Sequence, residues 1–164
     1  MELELPEGVS ARIENKQLIL KGPQGEVKIA IARKVNVELQ NRKIVVNSAN
    51  KALQNTTEAL VINMITGVNQ GYKKTLKLIH AHFPITLLVS GKEITVKDFL
   101  GEKMPRKTKV FGNTKVESKG PNVTISGPDK HAVGQTLANI RTAMKIKDKD
   151  GRVFQDGIYE VADE

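Results

Sequence analysis

The 164 residues contain no cysteine and no tryptophan. Without thiols there is no disulfide, no thiolate nucleophile and no cysteine-ligated zinc or iron–sulfur centre. Aromatic residues make up 4% of the chain, and no strand carries the aromatic pattern of a sheet that reads single strands by stacking base after base. No Gly-x4-Gly-Lys-Ser/Thr spacing occurs, which excludes a phosphate loop of the Walker type. No serine sits in a Gly-x-Ser-x-Gly elbow either. The longest stretches without a charge, Ala59 to Tyr72 and Leu78 to Gly91 (which holds the apolar run His80 to Gly91), are 14 residues each, shorter than the roughly 20 needed to cross a bilayer. The first residues, Met1-Glu2-Leu3-Glu4-Leu5-Pro6, are acidic and lack the order of a secretory signal. A cytoplasmic protein with no membrane partner is expected.

What is present is positive charge. Net charge is +8, and hydrophobic residues at 39% with charged residues at 27% match a folded domain. The charge is unevenly placed. Lys103 to Arg152 holds twelve Lys/Arg against four Asp/Glu, which accounts for the whole excess, and the last twelve residues hold four acids and no base. Such a block points to a polyanionic partner.

Short alternating runs divided by turn residues predict strands in the first half. They fall at Val9 to Ile13, Gln17 to Lys21, Val27 to Ala32, Val35 to Leu39 and Lys43 to Asn47. Gly22-Pro23-Gln24-Gly25 and Asn41-Arg42 are turns. The period then becomes helical over about 49–65, with Leu53, Thr57, Leu60 and Met64 as the stripe, Ser48 as cap and Gly67 as stop. The second half repeats the order. Strands are expected at Thr86 to Val89, Ile94 to Lys97, Lys109 to Phe111, Thr114 to Glu117 and Val123 to Ile125. A helix follows over about 128–144, capped by Ser126 or Gly127, with Val133, Leu137, Ile140 and Met144 as its stripe. A shift of 80 residues lays one helical stripe on the other, 76 lays Gly25-Glu26 on Gly101-Glu102, and 79 lays Ile44-Val45-Val46 on Val123-Thr124-Ile125. The fold class expected is therefore α+β: two tandem similar domains, 1–79 and 80–164, each an antiparallel sheet with one helix. The linker is expected between Gly67 and Pro84, with Tyr72 to Phe83 extended.

The candidate chemistry is sparse. His80-x-His82 shares a strand face but lacks a third metal ligand. Asp148 and Asp150 alternate with lysines, as in a solvated loop, and the other acids are scattered. Neither an enzyme nor a cofactor is expected. Gly127-Pro128-Asp129-Lys130-His131 opens a helix, whose free N–H groups suit a phosphate; on the local sequence alone an ordinary capped helix is the favoured reading. Three basic clusters stand beside element ends: Tyr72-Lys73-Lys74 after Gly71, Arg106-Lys107-x-Lys109 in an expected loop after Pro105, and Lys145-x-Lys147-x-Lys149 with Arg152. Each cation can neutralise a phosphate and release counterions, and Tyr72 or Phe111 is placed to stack on an unpaired base. With so few aromatics, binding to folded RNA through shape and phosphates is favoured. An enzyme acting on a phosphorylated substrate and a protein-interaction module are the competing readings.

The run from Gly127-Pro128-Asp129-Lys130-His131 through Val133-Gly134-Gln135 to Ile140-Arg141 resembles the signature of the large-subunit ribosomal protein six family. Gly67-Val68-Asn69-Gln70-Gly71-Tyr72 and Lys21-Gly22-Pro23-Gln24-Gly25 are similar to two further family passages. The ending, Arg152 to Tyr159, resembles the archaeal and eukaryotic branch and departs from the basic bacterial tail. The resemblance implies a structural constituent of the large ribosomal subunit that binds its rRNA mainly through the second domain. The implied place is near the translation-factor-binding region with the sarcin–ricin loop, among neighbouring ribosomal proteins. It implies RNA-facing positions at Gly127, Pro128, Asp129, Lys130, His131, Gln135 and Arg141, and at Gly71, Tyr72, Lys73 and Lys74. The charge pattern itself adds Arg106, Lys107, Lys145, Lys147, Lys149 and Arg152.

Overall fold

The computed structural model describes residues 2–40, 42–80, 83–147 and 149–161. His82, Asn41, Asp148 and the acids of the last three positions lie outside them. The chain forms two compact units, Met1–Tyr72 with Pro128–Lys130, and Lys73–Gly127 with His131–Glu164.

The first unit contains β1 (Glu2–Glu4), β2 (Ser10–Glu14), β3 (Gln17–Gly22), β4 (Gly25–Ala30), β5 (Val35–Gln40), β6 (Lys43–Ser48) and α1 (Lys51–Asn69). Strands β2, β3 and β4 form one antiparallel sheet, and β1, β6 and β5 form a second. The Pro23-containing turn joins β3 to β4, with Gly22 opposite Gly25. Alternation decides which side chains go inward: Leu18 and Leu20 of β3 and Ile44 and Val46 of β6 are buried, against Val61, Met64 and Val68 of α1.

The second unit contains β7 (Tyr72–Ile79), β8 (Thr86–Ser90), β9 (Glu93–Lys97), a 3-10 turn (Phe99–Gly101), β10 (Arg106–Lys109), β11 (Lys115–Lys119), β12 (Asn122–Gly127), α2 (Lys130–Ala143) and β13 (Gly157–Glu160). The order is that of the first unit with one strand added. Strands β8, β9 and β10 form a meander, as β2 to β4 do. The hairpin β11–β12 precedes α2, as β5–β6 precedes α1. Strand β7 lies beside β12, as β1 lies beside β6, and β13 closes the far edge of β7. The core comprises Ile94, Val96, Phe99, Val123, Ile125 and the inner face of α2.

Several sequence expectations are corrected. The compact units change over after Tyr72, and β7 hydrogen-bonds within the second sheet. Helix α1 runs to Asn69, and Gly67 lies inside it as a buried residue. A Cβ there would collide with the Pro128 carbonyl oxygen, so glycine serves close approach at this position and not helix termination. Asn50, not Ser48, caps α1: its side chain accepts a hydrogen bond from the Ala52 N–H at 2.9 Å. In the second repeat the residue before α2 is Asp129, not Ser126 or Gly127. The repeat runs at a constant shift of 79 from β6 to β12 and from α1 to α2. The expected shift of 80 is one residue too long for the helices. One residue is about 100° of helix rotation, which is why Leu60 is 40% exposed while Val61 is fully buried, in the place of Ile140.

Candidate nucleic-acid interface

Helix α2 is two-faced. Ala132, Val133, Thr136, Leu137 and Ile140 are buried, as the period predicts for the core side. The opposite stripe, His131, Gln135, Ala138, Arg141, Thr142 and, past the helix end, Lys145, is exposed. The 109–114 segment steadies the middle of the helix. Thr136 Oγ1 accepts from the Phe111 N–H at 3.0 Å, and the Asn139 side-chain amide donates to the Lys109 carbonyl at 3.0 Å. The Phe111 ring, 47% exposed, meets His131 edge-on with centroids 5.7 Å apart.

Gly134 lies within this exposed stripe. Sequence alone allows it a packing role, but an added Cβ would meet nothing within 4 Å. Helical glycine costs about 1 kcal/mol relative to alanine, and no neighbour among the described residues accounts for that cost.

Lys145, Lys147, Lys149 and Arg152 extend the cationic surface along the segment after α2, and all four are exposed. Lys149 Nζ stands 4.6 Å from the Phe154 ring centre. Arg152 grips Asp150 through its side chain and backbone, and those bonds hold the Asp150 carboxyl below its usual range.

Other residues singled out from the sequence have work inside the fold. Arg106 is expected in a loop, but it belongs to β10, where side chains alternate. Lys107 and Lys109 therefore face out while Arg106 turns in. Its guanidinium donates to Glu102 at 2.8 Å and to the carbonyls of Ala143 and Lys145 at 2.9 and 3.0 Å, and lies 4.5 Å from the Phe99 ring centre. It thus caps the C-terminal end of α2 with charge of the right sign. The bond from Arg106 keeps Glu102 below the ordinary glutamate value, against a smaller opposing effect of burial. Lys107 reaches Glu93 at 3.4 Å.

The Tyr72-Lys73-Lys74 cluster opens strand β7. Lys73 is exposed, while Lys74 pairs with Glu160 at 2.8 Å. In the first unit Tyr72 donates to the Asn63 carbonyl at 3.0 Å, and burial raises its hydroxyl pKa. Lys130 donates to the Asn63 side chain at 3.2 Å and lies over the Tyr72 ring. Pro128 is buried in the same unit, within 3.3 Å of where a Gly25 Cβ would stand. Gly71 supplies a positive φ of 79° at the exit of α1. Gly127 is the last residue of β12. Pro128 and Lys130, at the start of α2, thus make contacts within the first unit. His80 is exposed at the end of β7.

Sequence reasoning missed Tyr159 and Phe154. Both line a concavity of about 540 Å³ beneath the C-terminal half of α2. The signal available was an aromatic pair five residues apart after a basic run. Nothing local ties that pair to the helix face, because β13 reaches it only by pairing with β7.

The model of the Ribosomal protein L6 family matches the chain twice, over residues 5–71 and 83–157, which are the two repeats seen in the fold. The large ribosomal subunit protein uL6 of Methanobrevibacter smithii is 44% identical, covering 99% of this chain and 95% of that protein. The proteins of the same description from Sulfurisphaera tokodaii and Natronomonas pharaonis are 40% and 37% identical, each covering 96% of this chain and 89% and 93% of their own length. Matched in both repeats and along nearly its whole length to archaeal relatives, the chain belongs to the ribosomal protein L6 family.

Proposed function

We propose that this chain is a structural, non-catalytic constituent of the large ribosomal subunit that binds folded large-subunit rRNA through its second unit. The observation that carries this reading is the outer stripe of α2, from His131 through Gln135 and Arg141 to Lys145, which continues into Lys147, Lys149 and Arg152. Gly134 supports it: a side-chain-free point on an exposed cationic helix lets a backbone approach closely. Lys73 and Lys107 are further exposed cations of the same unit. Arg106, Lys74, Tyr72, Pro128 and Lys130 support the fold beneath or apart from this surface. The family resemblance supports a position near the translation-factor-binding region with the sarcin–ricin loop, beside neighbouring ribosomal proteins.

The test is affinity for large-subunit rRNA fragments across a salt series, for the wild type and a Lys145/Lys147/Lys149→Glu variant. Each phosphate that the variant no longer neutralises should flatten the logarithmic salt slope by roughly one. Tight binding that ignores both salt and the substitutions would move the interface off this surface. Protection footprints outside the sarcin–ricin region would reject the location while leaving the surface standing.

A further inference from the structure

The concavity beneath α2 has the chemistry of a nucleotide site, which the charge pattern alone does not imply. Its deep wall is apolar, formed by Leu137, Met144 and Ile158, none more than 9% exposed. Its rim carries Arg141 and Lys145, both exposed and both from the outer stripe of α2. Tyr159, 47% exposed, lines the same hollow. The Tyr159 ring is held in place. Its hydroxyl donates to the Gln155 carbonyl at 3.1 Å, and the ring lies over Gly157, 3.5 Å from where a Cβ would be. A fixed aromatic face beside an apolar hollow suits a planar base, and two cations at the rim suit its phosphate. Asp156, 1% exposed, also lines the hollow. A carboxylate at that depth repels a buried phosphate, so the anion belongs at the rim and the base inside.

We infer that this hollow captures one unstacked RNA nucleotide, with its base against Tyr159 and its phosphate on Arg141 and Lys145. The inference rests on the RNA-binding reading above and adds base capture to a surface otherwise read as contacting shape and phosphates. A protein side chain is the other occupant that an apolar hollow admits. The cationic rim, continuous with Lys147 and Lys149, favours RNA.

With no tryptophan and two tyrosines in the chain, a full-length Tyr72→Phe variant leaves Tyr159 as its only strong intrinsic fluorophore. Binding of large-subunit rRNA fragments should quench that emission, as should a short single-stranded RNA, whereas a perfectly paired duplex of the same sequence should not. Tyr159→Ala should weaken binding of the rRNA fragment about tenfold with an unchanged salt slope, because a stack and not a phosphate is removed. If Tyr159→Ala fails to fold, the quenching in Tyr72→Phe decides alone. Salt-dependent rRNA binding with no quenching, and with affinity untouched by Tyr159→Ala, overturns base capture and leaves the phosphate surface intact. Quenching that appears only when ribosomal proteins are added assigns the hollow to a protein and also overturns it. Loss of all salt-dependent rRNA binding by the wild type would defeat the underlying reading instead.

Discussion

Two neighbouring positions on α2 separate the work of the core from the work of the surface. Ile140 is fully buried and Leu137 is 9% exposed. Truncating either to alanine removes packed methylenes and leaves a void, costing about 2–5 kcal/mol. Urea unfolding of Leu137→Ala should register that loss, and a change well under about 1 kcal/mol would mean the buried face is misassigned. Gly134 should behave oppositely. Since nothing surrounds its missing Cβ, Gly134→Ala should stabilise the chain by about 0.5–1 kcal/mol through helix propensity. The same substitution should weaken rRNA binding, because the methyl group stands where a backbone would approach. A more stable variant with unchanged affinity would show that nothing docks there.

At the scale of elements, one arginine joins β10, the 3-10 turn and the end of α2. Arg106→Ala strands the Glu102 carboxylate and removes the donor from two helix-end carbonyls, at an expected cost of about 1–3 kcal/mol. The salt slope of RNA binding should be unchanged, since the guanidinium is committed inside the fold. A flatter slope with full stability would instead make Arg106 a phosphate ligand. The partner acid supplies a pH test. Arg106 lowers the pKa of Glu102 in the fold, so this contribution to stability is present above the ordinary glutamate value of 4.5 and is lost as pH falls through the depressed folded value. Glu102→Gln should therefore show a shallower drop in Tm on acidification than the wild type. Parallel acid profiles would mean that the pair contributes nothing measurable.

For the whole molecule the issue is whether charge or its location matters. The net +8 steers any polyanion towards the chain. If only the total counted, Lys21/Lys34/Lys51→Glu in the first unit would reduce rRNA affinity as much as Lys145/Lys147/Lys149→Glu in the second. The two variants change net charge equally and use exposed lysines in each case. The second-unit variant is expected to lose the larger part of the salt dependence. Equal losses would mean long-range attraction without a defined surface.

The strands were legible in the sequence because alternation and turn residues act locally: Gly22-Pro23-Gln24-Gly25 makes its hairpin wherever it stands, and Leu18 and Leu20 face inward by period alone. The duplication was legible because both repeats keep one order of elements, and the cationic block was visible as a count. Helix phase in α1 was not, since Ala59, Leu60, Val61 and Ile62 are all apolar and only packing against β3 and β6 selects Val61 over Leu60. Nor was the division of the basic residues. Composition gives Arg106 and Lys107 the same meaning, whereas pairing of β10 with β9 turns one inward and the other outward. Tyr159 gained its place in the same way, from a strand that meets β7 some 80 residues away in sequence. The sequence by itself determined the elements, their repetition and the sign of the partner's charge, because these depend on neighbours in the chain. Tertiary structure alone decided which cations turn inward, which stay exposed, and that Tyr159 stands beside α2, because those depend on contacts between residues far apart in sequence.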